Sequence, residues 1–214
     1  MKKLLLGIIL GLAALSAAVA LALGAIHLSE QPYKYCIDAL SIEERSGLAR
    51  EEILDNYRAV MRYLSPFYEG EFSLPSLAFS ESGAFHFYEC KLIFRAVYLA
   101  GALSALLWFI AAFKLKRGKL PAGTLAVSGA ATLLLPAALF LGIALDFDRA
   151  FVIFHELFFG NELWIFDYRS DPIINILPQD FFMTCAAVIG AVLLAAAAAQ
   201  FAAFAALKKR ERTI

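Results

Sequence analysis

The sequence contains too few charged residues for a soluble globular protein. Asp, Glu, Lys and Arg make up 18% of its 214 residues, whereas 61% are hydrophobic and the mean hydropathy is +0.71. So little polar surface cannot cover a water-soluble fold of this length. The composition therefore predicts an integral membrane protein.

Several features that identify other classes of protein are missing. No long basic or acidic tail is present, so we expect no nucleic-acid partner. The first apolar run is not followed by a lipobox, because Cys36 lies in the sequence YKYC, and the chain is not predicted to be a lipoprotein itself. There is no GxSxG nucleophile motif, and His155-Glu156 lacks the second histidine of the helical zinc-protease motif.

Four apolar runs are long enough to cross a hydrocarbon core about 30 Å thick, which needs about 20 helical residues. The first run exceeds the roughly 7 to 15 apolar residues of a signal-peptide core, so we expect it to be a retained anchor. The predicted transmembrane helices are residues 4–26, 92–113, 120–145 and 181–207.

Clusters of Lys and Arg predict the orientation. They lie at residues 2–3, in a predicted cytoplasmic turn at residues 114–119, and in a predicted cytoplasmic tail at residues 208–214. Four membrane crossings put all three clusters on one side, and the positive-inside rule makes that side the cytoplasm. Both termini are then cytoplasmic, and segments 27–91 and 146–180 are extracytoplasmic.

The first outer segment, residues 27–91, is predicted to be a small extracytoplasmic domain. Its stretch from Gly47 to Leu64 has apolar residues at helical spacing, which indicates an amphipathic helix. Pro and Gly interrupt the following stretch, where loosely alternating apolar residues suggest a short β-hairpin or a loop. From about Ala84 the chain is predicted to be helical into the second membrane crossing.

The second outer segment, residues 146–180, is predicted to be a loop with an interfacial helix. Asp148 is a suitable N-cap for a helix over 149–159, and Gly160 a suitable stop. One face of this helix carries a single histidine among phenylalanines. The face consists of Phe151, Phe154, His155, Phe158 and Phe159. The fold class is therefore mainly α, with four transmembrane helices and two outer segments.

All three histidines, His27, His86 and His155, are predicted on the outer side near a membrane boundary. Imidazole can accept and return a proton near neutral pH, so His86 and His155 are candidates for acid–base chemistry. Purely structural roles compete with this interpretation, as do a zinc site made by the three histidines and a nucleophilic Cys90 activated by His86. Whether Cys36 and Cys90 form a disulfide is open.

Four stretches together resemble one known family. They are GLAREEILDNYRAVMRYL, HFYECK at the entry to the second membrane helix, the block FxxFHELFFGNxxWxFD, and LPQDFF. The Lit family of bacterial lipoprotein intramolecular transacylases has similar sequences and a similar four-helix layout. The FHELFFGN block is the most specific part of the resemblance, which covers most of the chain.

The resemblance implies an acyl shift within a diacylated lipoprotein at the bacterial cell membrane. The sn-2 acyl chain of an S-diacylglyceryl cysteine would move to the cysteine α-amine, giving an N-acyl, S-monoacylglyceryl (lyso-form) lipoprotein. The catalytic residues would be His86, as a base oriented by Glu89, and His155, which would steady the oxyanion or protonate the glycerol oxygen. No metal, nucleotide or other cofactor is required.

Further side chains are expected to support the pair or to bind substrate. The supporting candidates are Glu89, Lys91, Arg95, Asn161 and Asp167. The candidates for binding acyl chains are Phe151, Phe154, Phe158, Phe159 and Trp164. The oligomeric state cannot be read from the sequence, and a monomer is favoured. The alternative functions are a metal-dependent membrane hydrolase and a non-enzymatic membrane scaffold.

Overall fold

The structure is a computed structural model that describes residues 2–211, except for the side chain of Leu135. Residues 2–211 form eight α-helices and no β-strand. The helices are α1 (Lys2–Leu28), α2 (Gln31–Ala39), α3 (Ile42–Ser46), α4 (Arg50–Leu64), α5 (Glu81–Lys116), α6 (Gly123–Leu145), α7 (Phe147–Phe158) and α8 (Gln179–Glu211), with a short 3₁₀ helix at Pro172–Asn175. The predicted mainly α class is confirmed.

Four helices, α1, α5, α6 and α8, are long and apolar enough to cross a membrane. The predicted number of membrane helices is therefore confirmed. All four exceed the roughly 20 residues that a bilayer needs, and α5 and α8 exceed it by the most. Helix α5 has 36 residues and α8 has 33, so both continue beyond the apolar runs from which they were predicted.

The chain divides into two compact units. Within residues 2–211, the first unit consists of residues 2–24, 97–144 and 187–211. In this unit Gly7 and Gly11 of α1 lie directly against Val127 and Ala131 of α6. Lipid tails are as apolar as the helices, so close packing of small residues has to supply much of the attraction between membrane helices.

A buried polar network joins three helices of the first unit. Ser128 of α6 donates to Oε1 of Gln200 on α8 at 2.5 Å, and Gln200 Nε2 donates to Thr132 Oγ1 at 3.1 Å. The Thr132 hydroxyl lies 3.0 Å from the Ser128 carbonyl and 3.3 Å from the Gly11 carbonyl of α1. Polar groups in an apolar bundle have to satisfy one another, because no water is available to do so.

The second unit consists of residues 25–96 and 145–186. At its core Tyr33 of α2 stacks on Tyr57 of α4, with ring centroids 3.8 Å apart, and Phe181 packs edge-on against both rings. The Tyr33 hydroxyl donates to the carbonyl of Ile176 at 2.6 Å. These contacts join the first outer segment to the residues that precede and begin α8.

The predicted amphipathic helix is confirmed over most of its length. Helix α4 begins at Arg50 and not at Gly47, since Gly47 has a φ of 71° and ends the preceding helix α3. Ile53 and Tyr57 are buried, as the spacing predicted. The short helices α2 and α3 were not predicted.

The predicted β-hairpin is wrong. Residues 65–80 contain no strand. Proline lacks a backbone N–H, and Pro66 and Pro75 interrupt any ladder here. The segment is held by the buried amide of Asn56, which donates to Ser76 Oγ at 2.8 Å and accepts from the Ser76 N–H at 3.4 Å. The alternating pattern reflects single side chains, such as Phe72, that pack into a helical core.

Two glycine-to-alanine substitutions test the packing of α1 on α6. Alanine normally stabilises a helix by about 1 kcal/mol relative to glycine. A Cβ at Gly11 would meet Ala131 and the backbone of Ser128, whereas a Cβ at Gly142 of α6 meets nothing within 4 Å. We expect Gly11→Ala to lower the melting temperature in detergent and Gly142→Ala to maintain or raise it. Equal shifts of the same sign would contradict the close packing.

Candidate active site

The beginning of α5 is held by a capped and buried turn. The Ser80 hydroxyl accepts from the Gly83 N–H at 2.9 Å and so acts as the N-cap. The carboxylate of Asp171, which is 2% exposed, accepts from the Ser80 N–H and from the Ser80 hydroxyl, each at 2.8 Å. Gly83 lies so close to Asp171 that a side chain there would collide with the carboxylate. This cap fixes the turn that leads to His86.

Helix α5 begins at Glu81, three residues before the predicted start at Ala84, because Ser80 caps it. Ser80 directly precedes the helical pattern, which is a typical N-cap position. The sequence offered no corresponding signal for Asp171, because it lies 91 residues further along the chain.

Helix α7 positions His155. The prediction of Asp148 as its N-cap is wrong, because Asp146 accepts from the Arg149 N–H at 3.0 Å and the helix begins at Phe147. Asp148 lies in the first turn, where its carboxylate accepts from Gln179 Nε2 at 2.6 Å. The helix ends at Phe158, so His155 lies in its last turn.

The two histidines lie side by side. The ring centroids of His86 and His155 are 5.9 Å apart, with an interplanar angle of 33°. Only 7% of His86 and 8% of His155 is exposed. This separation allows both imidazoles to contact one reacting group placed between them.

The tautomer of His155 follows from its hydrogen bond to the backbone. Its Nδ1 lies 2.7 Å from the carbonyl oxygen of Phe151, which can only accept, so Nδ1 carries a proton. Burial lowers the pKa of His155 below its ordinary value of 6.5, and the bond to Phe151 opposes that shift. At neutral pH the ring is therefore neutral, and Nε2 has a lone pair that can accept a proton.

His86 makes a different set of contacts. Its Nε2 lies 3.5 Å from the Cys90 sulfur, one turn along α5. Its Nδ1 is buried and has no hydrogen-bond partner among residues 2–211, so it can bond to a substrate group. Cys36 and Cys90 are both free thiols, which answers the question of a disulfide between them.

Aromatic rings surround both imidazoles. The rings of Phe151 and Trp164 lie 4.2 and 4.6 Å from that of His155. The rings of Phe159 and Phe166 lie 4.6 and 5.5 Å from that of His86. Phe166 was absent from the predicted site, although it lies only two residues beyond Trp164 in the same aromatic stretch.

The predicted acyl-binding phenylalanines have unequal exposure. The rings of Phe154 and Phe158 contact each other at a tilt, with centroids 4.7 Å apart, and are 46% and 52% exposed, so they present an apolar surface. Phe159 is 3% exposed and packs against His86. The structure therefore makes Phe159 part of the wall that fixes the imidazole, and not an open binding surface.

Asn161 joins Glu89, another predicted supporting residue, to Trp164, a predicted acyl-binding residue. Its side-chain amide donates to Glu89 Oε1 at 2.9 Å, and its carbonyl accepts from the Trp164 indole at 3.1 Å. The described hydrogen bond of Glu89 goes to Asn161, and its Oε2 is buried without a partner among residues 2–211. That Glu89 orients His86 therefore stays a prediction. Through Asn161, Glu89 helps to hold the segment that places Trp164 on His155.

Three other predicted residues have their described contacts elsewhere. Lys91 lies over the ring of Tyr63, and Arg95 forms an ion pair with Glu69 at 2.7 Å. Asp167 is exposed and accepts from the Arg169 N–H within a local turn. None of these three described contacts involves His86 or His155.

The family model described as "Lipoprotein intramolecular transacylase Lit" matches residues 4–182. A solved structure of the membrane integral Lit from Bacillus cereus is 31% identical to this chain. It superimposes with a TM-score of 0.92 over 100% of this chain and 99% of the other. This chain belongs to the Lit family.

Two further structures of Bacillus cereus Lit, each with one histidine replaced, are also similar. The arginine variant has a TM-score of 0.86 over 99% of this chain and 94% of that one, and the alanine variant 0.87 over 100% and 96%, both at 31% identity. No curated protein matches the chain. As a Lit member, the chain is an integral membrane protein and an acyltransferase.

The three histidines do not have the arrangement of the zinc site that was an alternative to acid–base chemistry. Among residues 2–211, no three His, Cys, Asp or Glu side chains are arranged to hold a metal ion. The ring of His27 lies 6.2 Å from that of Phe94, whereas His86 faces His155. The three histidines therefore do not form one cluster.

Removing the Asp171 carboxylate tests the cap of α5. Hydrogen bonds to a charged group contribute about 1.5 to 3 kcal/mol each, so we expect Asp171→Ala to destabilise the protein by about 2 to 4 kcal/mol and to reduce kcat by displacing His86. Asp171→Asn should recover part of both losses, because its amide oxygen can still accept from Ser80.

The matched control is Asp167→Ala, which removes an exposed aspartate from the same segment. Its effect on the melting temperature and on kcat should be small. If Asp167→Ala is as damaging as Asp171→Ala, the Ser80–Asp171 contact does not position the site.

Proposed function

We propose that this Lit chain transfers the sn-2 acyl chain of an S-diacylglyceryl cysteine to the α-amine of the same cysteine. The product is an N-acyl, S-monoacylglyceryl lipoprotein. The observation that supports this most is the pair of buried imidazoles with ring centroids 5.9 Å apart. Two groups that exchange protons, within reach of one ester, are what an acyl shift from oxygen to nitrogen requires.

The reaction forms one bond and breaks one bond at the same acyl carbon. The neutral α-amine attacks the ester, a C–N bond forms, and the C–O bond to the glycerol oxygen breaks. The proton lost by the amine balances the proton gained by the glycerol oxygen. Donor and acceptor belong to one molecule, so the protein mainly has to hold them together and move that proton.

The sequence-based assignment made His86 the base, but the described hydrogen bonds favour the reverse. His155 has its Nδ1 proton directed to Phe151, which leaves Nε2 free to take the amine proton and later to deliver it to the glycerol oxygen. If Cys90 donates its thiol proton to His86 Nε2, the Nδ1 of His86 carries a proton and can donate to the oxyanion. We therefore assign proton transfer to His155 and oxyanion stabilisation to His86.

The exposed rings of Phe154 and Phe158 supply the apolar surface for the acyl chains, next to the histidine that accepts the proton. The rings of Phe151 and Trp164 pack against that of His155. Apolar walls also exclude water, which would otherwise compete with the amine for the ester.

The cellular location of the reaction is inferred from the distribution of Lys and Arg residues along the chain. The three basic clusters favour a cytoplasmic location for both termini and an extracytoplasmic site in the bacterial cell membrane. Diacylated lipoproteins carry their lipid on that side of the membrane. Both histidines come from one chain, so a monomer is sufficient for the chemistry.

The test is to express the chain in a bacterium that lacks N-acylation of lipoproteins. The transfer is intramolecular and leaves the peptide mass unchanged, so the position of the acyl chain has to be read from fragment ions of the N-terminal peptide. We expect N-acylated cysteine with the native chain. Unaltered diacylglyceryl cysteine despite good expression would reject the proposal.

Substitutions at the two histidines separate catalysis from folding. His155→Asn can retain the donor to Phe151 but lacks Nε2, and His86→Gln retains a polar side chain. Removing an acid–base group typically costs about 10²- to 10⁴-fold in rate, so we expect little N-acylation from either variant. His27→Gln is the matched control and should retain activity; equal N-acylation by all three variants would show that His86 and His155 are not the catalytic residues.

Chelation distinguishes the transacylase from the metal-dependent hydrolase. We expect the purified protein to keep its full rate after treatment with a chelator, because both proposed proton carriers are side chains of the protein. A loss that added zinc reverses would favour the hydrolase, and so would release of free fatty acid in place of N-acylated product.

The pH dependence follows from the lowered pKa of His155. The neutral ring is the active form, so a pKa below 6.5 extends activity to lower pH. The substrate α-amine has an ordinary pKa near about 7.7 to 8 and must also be deprotonated. From pH 7.5 to 6.5 the logarithm of the rate should fall by about 0.8 to 0.9, because the amine is already partly deprotonated at pH 7.5, and a second proton should contribute only below pH 6.5. A slope of two throughout this range would contradict a neutral His155.

A further inference from the structure

Three cations contact Tyr68 in the second unit, two at its ring and one at its backbone carbonyl, and the proposed acyl-transfer chemistry does not use them. Lys91 is 5% exposed, and its ammonium lies 4.5 Å from the ring centre of Tyr63 and 5.3 Å from that of Tyr68. The guanidinium of Arg62 lies 5.6 Å from the same Tyr68 ring. Arg95 donates to the Tyr68 carbonyl at 3.4 Å. We call Arg62, Lys91 and Arg95 the Tyr68 cation cluster.

The positive charge of this cluster exceeds its described negative charge. Its one described ion pair joins Arg95 to Glu69, whose side chain is 79% exposed. Lys91 has no hydrogen bond or ion pair among residues 2–211, and Nε of Arg95 is buried without a partner. Burying a cation is costly unless an anion or hydrogen-bond acceptors compensate, and two aromatic rings compensate only in part. The Nε–H of Arg95 is therefore a buried donor that lacks an acceptor, and the described contacts of the Lys91 ammonium are with aromatic rings.

The sequence of α5 indicates which acceptor reaches this position. Beyond Arg95 the helix carries no charged residue until Lys114, and this uncharged stretch belongs to a helix apolar enough to cross a membrane. Lys91 and Arg95 therefore occupy the last charged turn before the apolar stretch. Basic side chains at such a boundary lie at the level of the lipid phosphates.

We propose that the Tyr68 cation cluster binds the phosphodiester of an anionic membrane phospholipid. The phosphate oxygens accept from the Lys91 ammonium and from the unpartnered Nε–H of Arg95, while Arg62 adds a third, exposed cation. Guanidinium and ammonium groups are the usual donors to phosphate in proteins. The lipoprotein substrate of the proposed acyl shift has no phosphate in its diacylglyceryl cysteine, so this ligand is distinct from the substrate.

The site is separate from the histidine pair. Lys91 follows His86 by five residues, which at about 100° per residue places the two side chains on different sides of α5. The proposal therefore does not depend on the acyl-transfer function, and its test measures lipid binding.

The experiment is native mass spectrometry of the full-length protein with phosphatidylglycerol or phosphatidylcholine added to the detergent. Lys91→Met removes the charge and keeps the length of the side chain. We expect it to weaken phosphatidylglycerol binding at least about 10-fold, since a desolvated charge-assisted contact contributes at least that much. Phosphatidylcholine, which has no net charge, should bind the native chain more weakly than phosphatidylglycerol.

Two further variants keep the test decisive if Lys91→Met folds poorly. Arg62→Gln changes an exposed cation of the cluster and should weaken phosphatidylglycerol binding by several-fold. Arg45→Gln removes an exposed cation of α3, outside the cluster, and should leave binding unchanged. Equal binding of phosphatidylglycerol by the native chain, Lys91→Met and Arg62→Gln would overturn the proposal.

Competing ligands identify the source of the anion. Inorganic phosphate should displace the lipid only at concentrations far above that of the lipid, because it lacks the acyl chains. Displacement at matched concentration would make free phosphate the ligand and overturn the lipid assignment. If lipid binding is unchanged in the variants but the turnover of lipoproteins with acidic peptides falls, the cluster binds substrate peptide and the proposal is wrong.

Discussion

The active-site geometry depends on one buried contact between distant parts of the chain. Asp171 accepts hydrogen bonds from the backbone and the hydroxyl of Ser80, the residue that caps α5. The helix can begin at Glu81 because that cap satisfies its first turn. His86 lies one turn further on, so its place is set before the helix enters its apolar stretch. Because a buried carboxylate needs several donors, the contact holds the start of α5 against the segment around Asp171.

The tautomer and the protonation state of His155 depend on a different set of contacts. The Phe151 carbonyl fixes its tautomer, and the surrounding rings favour its neutral form. The same rings stop the imidazole from turning, since Phe151 and Trp164 pack on it and Asn161 holds the Trp164 indole. A weakly basic, oriented imidazole suits an intramolecular acyl shift, because the proton only has to travel from the amine to a nearby oxygen of the same substrate. The protein can thus act mainly by positioning.

The sequence was sufficient for features that depend on hydrophobic pattern and family motifs. Four apolar runs predicted four membrane helices, and the HFYECK and FHELFFGN blocks identified the histidines that the fold brings together. Features that depend on long-range contacts were missed or wrong. Asp148 and Asp146 are equally good N-caps by composition; in the structure Asp146 caps α7, and Asp148 accepts from Gln179, 31 residues away. Glu89 shares a helical face with His86, yet its carboxylate bonds to Asn161, 72 residues away, which no local spacing predicts.

The central claim is that His86 and His155 act together on one ester, and a double-mutant cycle on the acyl-transfer rate tests it most directly. Single-turnover rates would be measured for the native chain, His86→Gln, His155→Asn and the double variant, with melting temperatures as the check on folding. Residues that act as a unit are strongly non-additive, so the double variant should be about as slow as the slower single variant. Losses that multiply in the double variant, with all four proteins folded, would show that the two histidines act independently and would contradict the account.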